Sequence, residues 1–370
     1  MLVRDGSSPD ESLTADDGFL PVDEHGLSYP FGGAVPEAGE VREIAPGVRW
    51  TRLKLFVSLN HINLWLIDDG DGVAVVDTGI RQRESFTTWD ALLAGPLAGR
   101  PITRMFATHY HPDHVGMAGW LGERTGARLW MTREEWLTAR MVTAPAGSST
   151  VAQAFARRWR YAGWDDAVIA QMHEDVRPDL SGIVTPLGAD FVRVRDGDRI
   201  DIGGVEWQVV VGRGHSPEHC CLWNEAAGLL ISGDQILPRI SPNISVLTSE
   251  PESDPLADWL DSIERFLQLP EDTLVLPAHG EPFYGMHARL RRMRDQHIER
   301  LDALADFIRT PRRVVDCFET LFRRGPEAFD GFNRELAVGE TLAHLRRLIM
   351  SDRATVSVRD GIGWFSAAVN

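Results

Sequence analysis

Between residues 48 and 76 apolar and polar side chains alternate with a period of two. Val48-Arg49-Trp50-Thr51-Arg52-Leu53 and Ile62-Asn63-Leu64-Trp65-Leu66-Ile67 each read as a strand. The turn Asp68-Asp69-Gly70-Asp71-Gly72 leads into Val73-Ala74-Val75-Val76, so the chain opens with an antiparallel sheet. The period then switches. Residues 84–93 read as a helix, 102–107 as a strand, 115–124 as a helix stopped by Gly126, and 127–131 as a strand. A second strand-rich half begins near Phe191, with strands over 199–202, 205–211, 220–223 and 229–232. A helix over 256–267 and a strand over 273–276 follow. The pattern predicts a mixed α/β domain over residues 41–285.

Three segments fall outside that alternation. Residues 132–184 form a helical insertion between the halves, with Trp136, Phe155, Trp159, Tyr161, Trp164 and Met172 among arginines. Its aromatics either pack on the body or reach a pocket, and at least one pocket contact is expected. Residues 286–370 read as helices over 286–308, 314–322 and 340–350. Two strands flanking Arg359-Asp360-Gly361 close the chain, a small winged-helix-like domain. In residues 1–40 nine acidic side chains, from Asp5 to Glu40, face only Arg4, which predicts a flexible segment or one wrapped in extended form over the surface.

Chemistry concentrates in Thr108-His109-Tyr110-His111-Pro112-Asp113-His114. Such spacing can aim two imidazoles at one metal ion, and a carboxylate with an imidazole at a neighbouring one. His215 in Gly-Arg-Gly-His-Ser-Pro, Asp234 in Ser-Gly-Asp-Gln and His279 in Pro-Ala-His-Gly-Glu-Pro each lie in a turn-rich setting. Seven such side chains describe a two-metal hydrolytic centre.

The run His-x-His-x-Asp-His, with Asp77-Thr78-Gly79 after the apolar residues 73–76, resembles the metallo-β-lactamase superfamily over about residues 42–285. The resemblance implies a four-layer αββα sandwich with metals along one edge. It assigns His109, His111 and His215 to one metal and Asp113, His114 and His279 to the other. Asp234 would bridge them, opposite a bridging hydroxide. Asp113 would also be catalytic, orienting the hydroxide and accepting its proton. Two divalent ions are implied, zinc by the imidazole-rich set, with iron or manganese also tolerated by the bridging carboxylate. A carboxylate or carbonyl is expected behind each ligand imidazole. His61, His219 and Arg239 are the candidate substrate residues, Arg239 as a clamp for an anion.

Asp234 argues against true β-lactamase activity, because the antibiotic-destroying relatives usually lack a bridging Asp there. The full ligand set resembles those of glyoxalase II, metallo-lactonases, thioesterases and RNase Z-like phosphodiesterases. No basic signature for glutathione is evident in the C-terminal part. The expected reaction is hydrolysis of an ester, thioester or lactone of a small or acyl-type substrate. The alternative is a phosphodiesterase or ribonuclease, marked by a positive surface running from the tail to the metals. Iron-dependent sulfur chemistry needs only part of the set.

Composition narrows the partners. A net charge of −16 opposes non-specific nucleic-acid binding. No apolar run approaches a membrane span, and residues 1–14 lack the apolar core of a secretory signal. Three cysteines make no disulfide framework. The expectation is a cytoplasmic protein, with a homodimer as one role for the tail.

Overall fold

The alternation read from residues 48–76 becomes one side of a large mixed sheet. The computed structural model describes residues 22–56, 59–144, 149–175 and 180–368. Strands β1 (Arg42–Ala45), β2 (Val48–Lys54), β3 (His61–Asp69) and β4 (Gly72–Val76) run antiparallel. Helix α1 (Arg83–Ala94) carries the chain to β5 (Ile102–Phe106), parallel to β4. Helices α2 (Pro112–Val115) and α3 (Ala118–Thr125) lead to β6 (Arg128–Met131), parallel to β5. After α4 (Arg133–Val142), α5 (Ser149–Ala162) and α6 (Asp166–Asp175), β7 (Val192–Arg193) completes a seven-stranded sheet in sequential order. The second sheet holds β8 (Arg199–Ile202), β9 (Val205–Gly212), β10 (His219–Asn224) and β11 (Leu229–Gly233), all antiparallel. Helix α7 (Pro255–Phe266) crosses to β12 (Leu274–Pro277), parallel to β11.

Period-two patterning decides which side chain faces which layer. Along β3, Trp65 and Ile67 join Trp50, Val76 and Phe106 against Trp207, Val209, Leu222 and Ile231 of the other sheet. The alternate residues Ile62, Leu64 and Leu66 face outward, with Val73 and Val75, onto Trp89 and Leu92 of α1 and Leu121 of α3. Val210, Trp223, Leu230 and Val275 leave the other side of the sandwich to meet Leu256, Trp259 and Phe266 of α7. The result is the four-layer αββα sandwich. All of β4 is buried, because both faces are covered.

Helices α8 (Met286–Phe307), α9 (Phe318–Phe322) and α10 (Gly331–Met350) precede a hairpin of β13 (Ala354–Arg359) and β14 (Ile362–Ala367). Leu290, Met293, Leu345 and Phe365 share one apolar cluster with Val210 and Val275 of the sandwich. The tail is therefore packed as part of the outer helical layer.

The insertion's aromatics pack inward. Trp136 stacks on Phe191 at 4.6 Å, Tyr161 meets Phe365 edge-on, and Trp164 meets Phe318. Trp159 donates from Nε1 to Glu335 Oε2 (2.6 Å), and Arg158 Nε pairs with Glu335 Oε1 at 2.9 Å. Trp159 is buried and Trp136, Tyr161 and Trp164 are half-buried against these partners, which favours the packing role.

Of residues 1–40, residues 1–21 lie outside the described residues. Residues 22–40, expected as part of the flexible or wrapping segment, lie against the body. Ser28 bridges Tyr284, Ala38 bridges Arg52, and Leu27 is 1% exposed among the residues around Met286. The path is narrow at Gly285, the residue before α8. Its φ is 98°, and a Cβ there would lie 2.2 Å from the Gly26 carbonyl. Of the two readings the acidic segment allowed, residues 22–40 take the wrapping one, although isolated apolar residues without periodicity did not single out Leu27 as the anchor. Strand β1 escaped notice for the same reason, being four residues long and half charged.

Leu27→Ala should cost about 2–4 kcal/mol, the usual price of truncating a buried leucine. Denaturant unfolding of the full chain measures it, and a change under about 0.5 kcal/mol would show that the segment is not anchored there.

Candidate metal centre

The candidate ligands leave the C-terminal ends of the strands. His109 to His114 follow β5, His215 follows β9, Asp234 comes directly after β11, and His279 comes two residues after β12. One strand end of the first sheet and three of the second thus deliver these side chains to one edge of the sandwich. His111 is the extended cap before the single turn α2, which Pro112 starts, so Asp113 and His114 leave from its first turn.

The seven residues sort into two nests. One is His109, His111, His215 and Asp234, the other Asp113, His114 and His279, with the donor atoms of each within 4.8 Å of one another. In the first, His109 Nε2 and His111 Nδ1 are 2.7 Å apart, and His215 Nε2 lies 3.5 Å from Asp234 Oδ2. In the second, Asp113 Oδ2 is 3.3 Å from His279 Nε2 and 3.7 Å from His114 Nε2. The other oxygen of Asp234, Oδ1, is 3.5 Å from His114 Nε2 and 3.3 Å from His279 Nε2. One carboxylate therefore presents one oxygen to each nest.

Each of three rings has one nitrogen committed elsewhere. His114 Nδ1 donates to Asp77 Oδ2 (2.8 Å), His215 Nδ1 to the Asn243 carbonyl (2.8 Å), and His279 Nδ1 to the His61 carbonyl (2.8 Å). A proton on Nδ1 leaves the Nε2 lone pair pointing into the nest. His114 Nε2, His215 Nε2, His279 Nε2 and Asp234 Oδ1 are all buried without a hydrogen-bond partner. Buried polar atoms are rarely left so unless an ion or water completes them. The residues present therefore fit a pair of divalent cations.

The electrostatics agree. Burial among other imidazoles lowers His109 well below the usual histidine range and takes His111 to about 3. Burial opposes charge on His114, yet Asp77, Asp113 and Asp234 carry it well above that range. Burial would raise the Asp113 carboxyl, but His114 and His279 outweigh it and hold it at about 2. The carboxylates demand positive charge, and protons on His114 and His279 supply it when no cation does.

Several supporting residues had no site role in the sequence reading, Asp77 entering it only through the Asp77-Thr78-Gly79 turn. Asp77, at φ 63°, accepts from the Thr108 N–H (2.8 Å) as well as from His114. Glu135 of α4 is buried and accepts from Ser216 Oγ and the Glu218 N–H through Oε1, and from the Tyr110 N–H through Oε2. It thereby ties the His109–His114 loop to the His215 loop. Burial pushes its carboxyl up to about 7 against the pull of those three donors. Asn63 accepts from Trp50 Nε1 and Arg52 Nε, and donates to the Pro277 and Gly280 carbonyls on either side of His279.

The three expected substrate residues separate. His219, one of the residues expected to see substrate, has no exposed surface. It stacks on His109, and its Nε2 accepts the Asp234 N–H (3.1 Å). Gly233 must lack a side chain for this, since a Cβ there would lie 2.5 Å from the His219 ring. His61 is likewise engaged within the protein. Its Nε2 accepts the Gly280 N–H, its Nδ1 faces Asn60 Oδ1, and its carbonyl holds His279. His61 is half-buried, and Arg239 keeps an accessible side chain, 67% exposed, 3.5 Å from Glu281 and over the Tyr29 ring.

Glu135→Ala strips the acceptor from three donors, two of them backbone, and should destabilise the chain by about 3 kcal/mol or more. Glu135→Gln, which keeps one acceptor, should cost visibly less. Equal losses in thermal or denaturant unfolding would refute the bracing role.

Comparison with known proteins agrees with this geometry. Residues 58–279 match the metallo-beta-lactamase superfamily, and residues 301–368 match the metallo-beta-lactamase-like C-terminal domain. A crystal structure of a beta-lactamase domain protein from Burkholderia ambifaria is 39% identical, with a TM-score of 0.85. The match covers 93% of this chain and 99% of that one. The probable metallo-hydrolase YqjP of Bacillus subtilis (strain 168) is 27% identical over 172 residues, 45% of this chain and 52% of that protein. The chain therefore spans about half of that relative's length. The acyl-coenzyme A thioesterase MBLAC2 of Gallus gallus is 26% identical over 275 residues, 70% of this chain and 86% of that protein. With a matched region covering more than half its length, a sandwich of the same architecture and the nests at its strand ends, the chain belongs to the metallo-beta-lactamase superfamily.

Proposed function

We propose that this protein is a metal-dependent hydrolase that cleaves an ester, thioester or lactone of a small or acyl-type substrate at a two-metal centre. The observation that carries the reading is Asp234, whose two oxygens face separate nests of unpartnered imidazole nitrogens. His109, His111 and His215 would hold one ion, and Asp113, His114 and His279 the other, with Asp234 shared. Bound there, two divalent cations would bring the pKa of water toward neutrality and draw charge from the scissile carbonyl. Zinc suits so many imidazoles, and the shared carboxylate also accepts iron or manganese.

The chain's own residues do the rest. Asp113, its side chain 18% exposed, stands at the open side of the centre. Kept ionised, it accepts a hydrogen bond from the attacking water and orients it. Water adds its oxygen to the acyl carbon, and the thiol or alcohol leaves with a proton. Arg239, accessible beside Glu281, would clamp an anionic part of the substrate.

An acyl thioester is favoured by the similarity to the MBLAC2 thioesterase. The phosphodiesterase alternative called for a positive surface running from the tail. Many tail arginines are instead paired with acids: Arg294 with Glu264, Arg346 with Glu252, Arg347 with Asp254 and Arg353 with Asp302. Among the described residues, no helix is long and apolar enough to cross a membrane. A reducing compartment, the cytoplasm, suits Cys220, Cys221 and Cys317, all buried as free thiols.

Protein purified without added metal should contain two equivalents of metal. It should turn over thioesters or lactones faster than bis-nitrophenyl phosphate. His111→Ala should lose one equivalent and about two orders of magnitude or more in kcat/KM. Asp234→Ala should lower the occupancy of both positions. Near-normal turnover by a metal-analysed His111→Ala protein, or unchanged stoichiometry in Asp234→Ala, would overturn the assignment. Cleavage of the phosphodiester alone would promote the alternative, and a single iron would point to sulfur chemistry.

A further inference from the structure

His215 comes from the second sheet, but the group that orients it leads away from the sandwich. The carbonyl receiving its Nδ1 proton belongs to Asn243, in the segment between β11 and α7 that carries no regular secondary structure over residues 242–247. Such a segment holds a carbonyl in place only if something else fixes it.

That something is α10. Asn243 Nδ2 donates to Glu340 Oε2 (2.8 Å) and, more weakly, to the Leu336 carbonyl (3.4 Å). Asn243 Oδ1 accepts from Ser245 Oγ. Three residues after Asn243, the Val246 N–H donates to the Gly339 carbonyl (3.2 Å), and the Val246 carbonyl accepts from Arg158 Nη2 (2.7 Å). The approach is close because residue 339 is glycine, where a Cβ would lie 2.4 Å from Ser245 Oγ. Glu340 is 5% exposed, and its other oxygen faces Arg300 of α8 at 3.6 Å. A buried carboxylate in the tail thus stands two hydrogen bonds from a candidate metal ligand.

We propose that Glu340 is a positioning residue for the metal centre, acting from the C-terminal helix through Asn243 on the ring of His215. The proposal rests on the two-metal reading above. Glu340 touches neither metal nor substrate. Its carboxylate fixes the Asn243 amide, the amide fixes the peptide, and the carbonyl keeps the proton on Nδ1 of His215 so that Nε2 keeps its lone pair for a metal. The tail would then complete the nest of His109, His111, His215 and Asp234, which makes it more than a cover for the second sheet.

The test uses the full chain and zinc competed against a chromophoric chelator, with the thermal midpoint of each metal-free variant measured alongside. Glu340→Ala should weaken one of the two zinc ions about tenfold, the lower range for partners behind a metal ligand. Glu340→Gln keeps an acceptor for Asn243 Nδ2 and should stay within about threefold of the parent. Asn243→Ala keeps the carbonyl but loses the grip of α10, and should match Glu340→Ala. Adding Glu340→Ala to it should weaken zinc no further, because the path is already cut. Unchanged zinc affinity in Asn243→Ala, equal losses in Glu340→Ala and Glu340→Gln, or additive losses in the double variant would each overturn the proposal. Should Glu340→Ala fail to fold, Asn243→Ala and Glu340→Gln still decide. Failure of the two-metal reading looks different, since the parent itself would then bind fewer than two zinc ions.

Discussion

An imidazole can hold a metal only with the nitrogen it does not give away. His114, His215 and His279 each commit Nδ1 to an acceptor and turn a bare Nε2 inward. The acceptors are of different kinds and come from different parts of the chain: a carboxylate after β4, a carbonyl in an irregular segment, and a carbonyl at the start of β3. Around them, Glu135 braces two ligand loops, Asn63 braces a third, and His219 supports both His109 and Asp234. Much of the buried polar chemistry at this edge of the sandwich keeps lone pairs aimed at two points.

The cost of that arrangement is a cluster of buried groups left incomplete by the protein alone. Leaving one such atom unpaired costs about 1–3 kcal/mol, and more where charge is involved. Protons on His114 and His279 offset part of it by answering Asp113 and Asp234. Cations would answer the same carboxylates and use the bare nitrogens as well. Metal binding and stability of the strand-end loops should thus be linked.

The outer layers serve the site as much as they serve the core. Helix α4 supplies Glu135, α5 ties Arg158 and Trp159 to α10, and α10 holds the segment bearing Asn243. The insertion and the tail, separate blocks in the sequence, meet in the Arg158–Glu335 pair, both side chains largely buried. Aromatic rings that could have lined a pocket instead fasten these two blocks together.

Local pattern was enough for most of the strands and helices, and for naming seven candidate ligands. Strand and helix periods are set by near neighbours, and four of the ligands lie within six residues. The layering followed from a resemblance, and the packing of β3 and β4 bears it out. Only the folded chain decided what stands behind the ligands. Asp77 and His114 are 37 residues apart, Glu135 and Ser216 are 81 apart, and His61 and His279 are 218 apart. Two of the orienting groups are backbone carbonyls, which no residue type announces. A ligand is a property of a side chain and can be read from its letter; the direction of its lone pair depends on partners that distant segments bring to it.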